Sequence, residues 1–206
     1  VVKSTMSRIE ACLSTIKKNN GKALIPFLTA GDPSPSITAN LMHELVLAGA
    51  DIIELGVPFS DPMADGPVIQ RASERALAQK TNTDDVFNIV KDFKKNKYAK
   101  PIILMGYYNM IYQYGESKFL KKCKQSGVNG LIVVDLPWPE NKNFAKKCKK
   151  KSITFVQLLS PTTSKERMKN IIKDSHEMCY YISMLSTTGG KLKVSPKKIL
   201  ENYNKI

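Results

Sequence analysis

The stretch that decides the fold is residues 51–67, which read DIIELGVPFSDPMADGP. It opens with a short apolar run, typical of a buried β-strand, and Glu54 stands near the end of that run. A loop rich in proline and glycine follows and carries Asp61 and Asp65. Because desolvation at the end of a buried strand raises a carboxyl pKa, these residues predict a carboxylate-based acid/base site.

Two plainer interpretations of these carboxylates stay open. A strand-end glutamate can be a salt-bridged residue of the sheet, with no part in catalysis. Asp61 and Asp65 can be turn residues, because aspartate favours such positions. The residues alone therefore predict where a site would lie and leave its reaction undetermined.

Working outward from this stretch, apolar strand-like runs alternate with segments of helical periodicity. The predicted strands are residues 23–28, 52–55, 101–104, 130–134, 153–158 and 179–183. The predicted helices are residues 6–19, 36–48, 84–96, 116–126, 139–151, 164–173 and 195–205. This alternation predicts a parallel α/β sheet, either doubly wound or closed as a barrel.

The chain is predicted to form a single α/β-barrel domain over residues 1–206, with an N-terminal helix at 6–19 and six strand–helix units. No linker, repeat or low-complexity tract divides it, and no G-x-G-x-x-G motif follows the first strand, so dinucleotide binding has no support. In a barrel, chemistry lies at the carboxyl ends of the strands, where Glu54 stands.

The net charge of +14 raises nucleic acid as a partner. However, the lysines cluster at the ends of predicted helices, and arginine, the residue of most base and phosphate recognition, is scarce. We therefore expect no nucleic-acid partner. No apolar run approaches the roughly 20 residues that cross a bilayer, so we expect a soluble protein without a membrane partner.

Metal binding and disulfide bonding are not expected either. The cysteines, Cys12, Cys123, Cys148 and Cys179, are widely spaced, with no C-x-x-C pair and no histidine at ligand spacing. Reduced thiols indicate a cytoplasmic protein, or one of the plastid stroma if it is organellar.

Five segments together resemble the tryptophan synthase α subunit family. They are PFLTAGDP at 26–33, ELGVPFSDPMADGPVIQ at 54–70, GYYN at 106–109, VVDLP at 133–137 and YYISMLSTTG at 180–189. The resemblance implies a TIM (β/α)8 barrel that cleaves indole-3-glycerol phosphate to indole and glyceraldehyde 3-phosphate in L-tryptophan biosynthesis. It also implies no cofactor of the chain's own, and an α2β2 heterotetramer in which the β subunit carries pyridoxal phosphate.

The resemblance also implies roles for individual residues. Glu54 matches the catalytic general acid/base, and Asp65 matches a second catalytic carboxylate that holds the indole N–H. The implied substrate-binding residues are Phe27, Tyr107, Tyr180, Thr188 and Gly189. The implied β-subunit contacts are Asp61, Pro58 and Asn109. Met105, Ile132, Val134 and Leu158 fall where the family lines its indole slot, although each is equally an ordinary core residue.

The chain departs from the family pattern in two places. In the loop after the sixth predicted strand, Met184, Leu185 and Ser186 replace a more polar and glycine-containing run. Only six strands can be counted before Ile206, so strands seven and eight are expected to be absent, and the chain to be short by about two strand–helix units. An alternative function is therefore a truncated, non-catalytic chain that only binds the β subunit.

Overall fold

The computed structural model of the chain describes residues 6–183 and 194–204. Its strands are β1 (Phe27–Thr29), β2 (Ile53–Gly56), β3 (Ile102–Gly106), β4 (Gly130–Val133), β5 (Thr154–Phe155), β6 (Gln157–Leu159) and β7 (Cys179–Tyr181). Its helices are α1 (Arg8–Lys18), α2 (Pro35–Leu47), α3 (Pro67–Ala78), α4 (Thr83–Lys94), α5 (Tyr108–Tyr114), α6 (Glu116–Ser126), α7 (Lys142–Lys150), α8 (Lys165–Asp174) and α9 (Pro196–Tyr203).

The strands pair in parallel in the order β1-β2-β3-β4-β5, and β6 pairs in parallel with β7. β5 and β6 are the two halves of the predicted fifth strand, separated by Val156. The Val156 N–H donates to the Leu131 carbonyl at 2.9 Å. The first half of this strand therefore pairs with β4, and its second half pairs with β7. The six predicted strands are thus recovered, and the fold is that of the α/β-barrel family.

Two apolar clusters cover the two faces of the sheet. Ile53, Leu55 and Leu104 belong to the larger cluster, which packs against the outer helices. Ile52 and Ile103 belong to a smaller cluster on the opposite face, where Ile9 of α1 packs. Since side chains alternate along a strand, Glu54 lies on the same face as Ile52, inside the curved sheet.

The sequence analysis did not predict two of the helices, α3 and α5, and the physical reason is different for each. In α3, the buried residues are Ala72, Ser73 and Ala76, so the packed face carries no large apolar side chains that would reveal a helical period. α5 has only 7 residues and a single buried one, Ile111, which is too short a segment for a periodic pattern.

The start of α7 was predicted at residue 139, which is wrong: the helix begins at Lys142. Pro139 lies instead in a turn in which the Asn141 N–H donates to the Pro137 carbonyl at 2.9 Å. The Asn141 side chain reaches inward to Leu136 and Gln157. These contacts hold residues 137–141 outside the helix, although proline is well suited to a first helical turn.

Candidate active site

Glu54 is a buried carboxyl group inside the curved sheet, with only 5% of its surface exposed. It lies in register between Phe27 of β1 and Ile103 of β3. Burial raises its pKa from 4.5 to about 7. Within residues 6–183 and 194–204, no hydrogen bond or ion pair to its carboxyl group is found. The salt-bridged interpretation is therefore not supported, and Glu54 is poised to exchange a proton near neutral pH.

Asp65 lies on the loop between β2 and α3, where its carboxylate accepts a hydrogen bond from the Tyr107 hydroxyl at 3.1 Å. The same hydroxyl oxygen accepts the Ala64 N–H at 3.1 Å, and the Asp65 carbonyl accepts the Gln70 side-chain amide at 2.8 Å. Burial raises the pKa of Asp65, while the bond from Tyr107 lowers it. Asp65 is thus held by contacts that the sequence does not reveal.

Tyr107 connects the end of β3 to the loop that carries Asp65. Its residue surface is 4% exposed, and its ring stacks on Phe59 with 5.1 Å between centroids. Mainly through burial, the pKa of Tyr107 rises to about 12, so its hydroxyl stays protonated and able to donate. Sequence comparison assigned Tyr107 to substrate binding, whereas the structure also shows that it positions Asp65.

Phe27 reaches the same region because Gly56 has no side chain. A Cβ atom added to Gly56 would lie 2.5 Å from Cζ of Phe27. Phe27, Asp65 and Tyr107 line a small cavity of about 20 Å³, together with Met105 and Val134. Three predicted site residues and two residues of the predicted indole slot therefore converge at the carboxyl ends of β1–β4.

Tyr180 approaches Glu54 from the other side of the curved sheet. It lies on β7, is 37% exposed, and has a pKa raised by burial and by the negative charge of Glu54. Thr188 and Gly189, the other two predicted substrate residues, lie outside the described residues, as do Met184, Leu185 and Ser186.

The residues predicted for the β-subunit surface divide into two groups. Asp61 and Asn109 are exposed, and the Asp61 carboxylate accepts a hydrogen bond from the Ser60 hydroxyl at 2.5 Å. Pro58 is buried, so it shapes the turn and offers little surface of its own.

Among residues 6–183 and 194–204, no group of histidine, cysteine or acidic residues is arranged to hold a metal ion. None of the helices in this described part is both long and apolar enough to cross a membrane.

Residues 13–202 match the family model described as tryptophan synthase alpha chain. The tryptophan synthase alpha chain of Pelagibacter ubique is 58% identical over 201 residues, which are 98% of this chain and 76% of the relative. That of Janthinobacterium is 47% identical over the same shares of the two chains.

Solved structures agree with the sequence comparison. The tryptophan synthase subunit alpha of Legionella pneumophila matches with a TM-score of 0.89 and 44% identity, over 98% of this chain and 74% of that one. A tryptophan synthase structure from Mycobacterium tuberculosis matches with a TM-score of 0.87 and 29% identity, over 97% and 77%. This chain thus spans about three quarters of the length of these relatives.

Proposed function

This chain belongs to the tryptophan synthase alpha chain family, and from that premise we propose that its Glu54 and Asp65 catalyse the alpha reaction. The reaction is the retro-aldol cleavage of indole-3-glycerol phosphate to indole and glyceraldehyde 3-phosphate. The observation that carries the proposal is the buried Glu54 carboxyl group, whose pKa of about 7 suits general acid/base work at neutral pH.

In this cleavage, the bond between C3 of the indole ring and C1 of the glycerol chain breaks. C3 must receive a proton, and the C1 hydroxyl must lose one as it becomes the aldehyde. Glu54 is the group that gives and takes these protons, since both its protonated and its ionised form are present near its pKa. No cofactor is needed, because acid/base catalysis supplies every step.

Asp65 has a different role in the proposed mechanism. Protonation of C3 produces an indolenine whose ring nitrogen carries positive charge, and an ionised carboxylate next to the N–H stabilises that cation. The hydrogen bond from Tyr107 supports the ionised form of Asp65, because it lowers the pKa that burial raises. Phe27, Met105 and Val134 supply the apolar wall against which the indole ring packs.

We also propose that the chain acts with a tryptophan synthase beta subunit that carries the pyridoxal phosphate. The exposed Asp61 and Asn109 lie on segments that lead directly from the site, the first after β2 and the second on α5. The binding-only alternative gains no support from the family model or from the relatives of Pelagibacter ubique and Janthinobacterium, which are described as tryptophan synthase alpha chains.

The test is the release of indole from indole-3-glycerol phosphate, with and without added beta subunit. Glu54→Gln and Asp65→Asn should each lower kcat by about 100-fold or more. Glu74→Gln is the matched control, because Glu74 is an exposed glutamate on α3 and its loss should leave kcat unchanged.

Two results would contradict the proposal. If Glu54→Gln retained the kcat of the unchanged chain, Glu54 would not be the acid/base group. If the unchanged chain bound the beta subunit and released no indole under any condition, the binding-only alternative would replace the catalytic one.

A further inference from the structure

A gap separates α7 from α8 in the ring of outer helices. A cavity of about 320 Å³ lies there, bounded by the segment after β4, by the end of β6 and by α8. Protein interiors leave few voids larger than a water molecule. A volume of this size falls within the range of small-molecule sites, roughly 300–1,000 Å³. We call this space, lined by residues 133–134, 136–138, 141, 155–160, 162–163, 167, 171 and 182, the α7–α8 cleft.

The inner part of the cleft is apolar with a fixed polar floor. Phe155, Leu159 and Ile171 are buried and form its walls. Asn141 and Gln157, 1% and 3% exposed, bond to each other through both amides, at 2.8 and 3.3 Å. A wall of this kind suits a flat apolar ring, and the paired amides give the floor a defined orientation.

The mouth of the cleft is formed by Trp138 and Arg167. The Trp138 indole N–H donates to Asp174 at 2.8 Å, and Lys142 lies 4.7 Å from the ring centroid. The Arg167 guanidinium lies 5.4 Å from the same ring and donates to the Trp138 carbonyl. Within the described part of the chain, no carboxylate pairs with Arg167. Its remaining N–H groups are therefore available to an anion.

The charge around the cleft favours an anion as well. Gln157 also lines a second space of about 290 Å³, which lies between α7 and α8. Four lysines line this second space, namely Lys142, Lys146, Lys149 and Lys173. Among the described residues that line it, Asp174 is the one acidic residue. Several cations around a recess raise the local concentration of small anions.

We infer that the α7–α8 cleft binds a small aromatic carboxylate. The ring occupies the apolar part between Phe155, Leu159 and Ile171, and the carboxylate pairs with the Arg167 guanidinium at the mouth. The planar guanidinium suits a carboxylate because it donates two parallel hydrogen bonds. Val134 and Leu158, two residues of the proposed indole slot, also line the cleft, whereas Glu54 and Asp65 do not.

The test uses Trp138, which is the single tryptophan of the chain. The emission of Trp138 is titrated with 3-phenylpropionate, which does not absorb at the excitation wavelength of tryptophan, and binding is repeated by calorimetry. The uncharged 3-phenylpropan-1-ol is the matched ligand control. Arg167→Gln removes the proposed partner, and Lys169→Gln, an exposed cation on the same helix, is the matched protein control.

We expect saturable binding that is weakened about tenfold by Arg167→Gln and by the alcohol, since a charge-assisted pair is lost in each case. Lys169→Gln and Glu54→Gln should bind as the unchanged chain does. Equal binding by Arg167→Gln, equal binding of the alcohol, or no saturation would each overturn the inference. Because the readout needs no turnover, it stands apart from the test of the lyase reaction.

Discussion

Glu54 is a carboxyl group that burial makes unfavourable for the fold, which is the expected signature of a functional residue. Its pKa rises because burial removes water, and no compensating partner is found among the described residues. Both the proposed reaction and the pH dependence of stability follow from this single shift.

The stability of the chain should therefore depend on Glu54 between about pH 4.5 and 7. In that window the unfolded chain has lost the Glu54 proton while the folded chain retains it, so the free energy of unfolding falls as pH rises. The Glu54 contribution is fully present below pH 4.5 and is lost above about pH 7. Glu54→Gln should remove this slope, and at pH 8 it should be more stable by about 3 kcal/mol.

Urea unfolding of both proteins from pH 4 to pH 8 measures this difference. The same slope in the unchanged chain and in Glu54→Gln would show that the pKa of Glu54 is not raised in the folded state.

A second prediction concerns the hydroxyl of Tyr107. Tyr107→Phe removes the hydrogen bond that lowers the pKa of Asp65, so that pKa should rise. If Asp65 must be ionised, the acid limb of kcat/KM should move to higher pH, and kcat should fall by about tenfold at neutral pH. Tyr112→Phe, on an exposed tyrosine of α5, is the control. A fall in activity without any shift of the acid limb would indicate a structural role only.

At the scale of elements, β2 carries Glu54 and also ends in Gly56, whose missing side chain leaves room for Phe27 of β1. Gly56 is buried, its φ is not in the left-handed region, and its importance is the space that it leaves for the Phe27 ring. The strand therefore fixes Glu54 and Phe27 together.

Gly56→Ala should push Phe27 out of its position, because the added Cβ would lie 2.5 Å from the ring. We expect a higher KM for indole-3-glycerol phosphate and a loss of about 1–3 kcal/mol in stability. Adding Phe27→Leu should restore part of the stability, since a smaller side chain yields the space. Purely additive effects in this double-mutant cycle would contradict the proposed contact.

The start of α4 was predicted at residue 84, one residue late, because the helix begins at Thr83 and is capped by Asn82. The Asn82 side chain accepts the N–H groups of Asp84 and Asp85 at 2.9 and 3.2 Å, and Asp85 accepts the Asn82 N–H at 2.9 Å. Asn82→Ala should cost about 1 kcal/mol in unfolding free energy. Asn88→Ala, on the exposed face of the same helix, should cost nothing. Equal effects of the two changes would show that this cap is not stabilising.

At the scale of the whole molecule, the carboxyl ends of the strands bring together groups from separate segments. Asp61 belongs to a loop after β2 and Asn109 to α5 after β3, yet both lie on the exposed side of the proposed site. Asp61→Asn should weaken binding of a tryptophan synthase beta subunit by about threefold to tenfold, through a lower association rate and less salt dependence. Asp92→Asn, an exposed acid on α4, should bind normally. Calorimetric titration at two salt concentrations measures the affinity of each variant for the beta subunit and its salt dependence. If Asp61→Asn bound the beta subunit as tightly as the unchanged chain does, Asp61 would not belong to the interface.

Much of the strand–helix order was predictable because each buried strand is a continuous apolar run, and each helix that was predicted carries apolar residues at helical spacing. α3 and α5 were missed because one packs through small residues and the other is short. The division of the fifth strand into β5 and β6 was also missed, because it depends on which neighbour each half pairs with.

The sequence by itself determined the family, through five segments that include residues 54–70, and residues 51–67 determined the buried strand and the two carboxylates of the proposed site. Only the tertiary structure decided that Glu54 is without a described partner, that Tyr107 holds Asp65, that Gly56 makes room for Phe27, and that a cleft remains between α7 and α8. The physical reason is the distance along the chain between the residues that interact. Hydrophobic period and turn chemistry act over a few residues and are written in the local sequence. Burial, pKa and cavity volume depend on residues that only folding brings together.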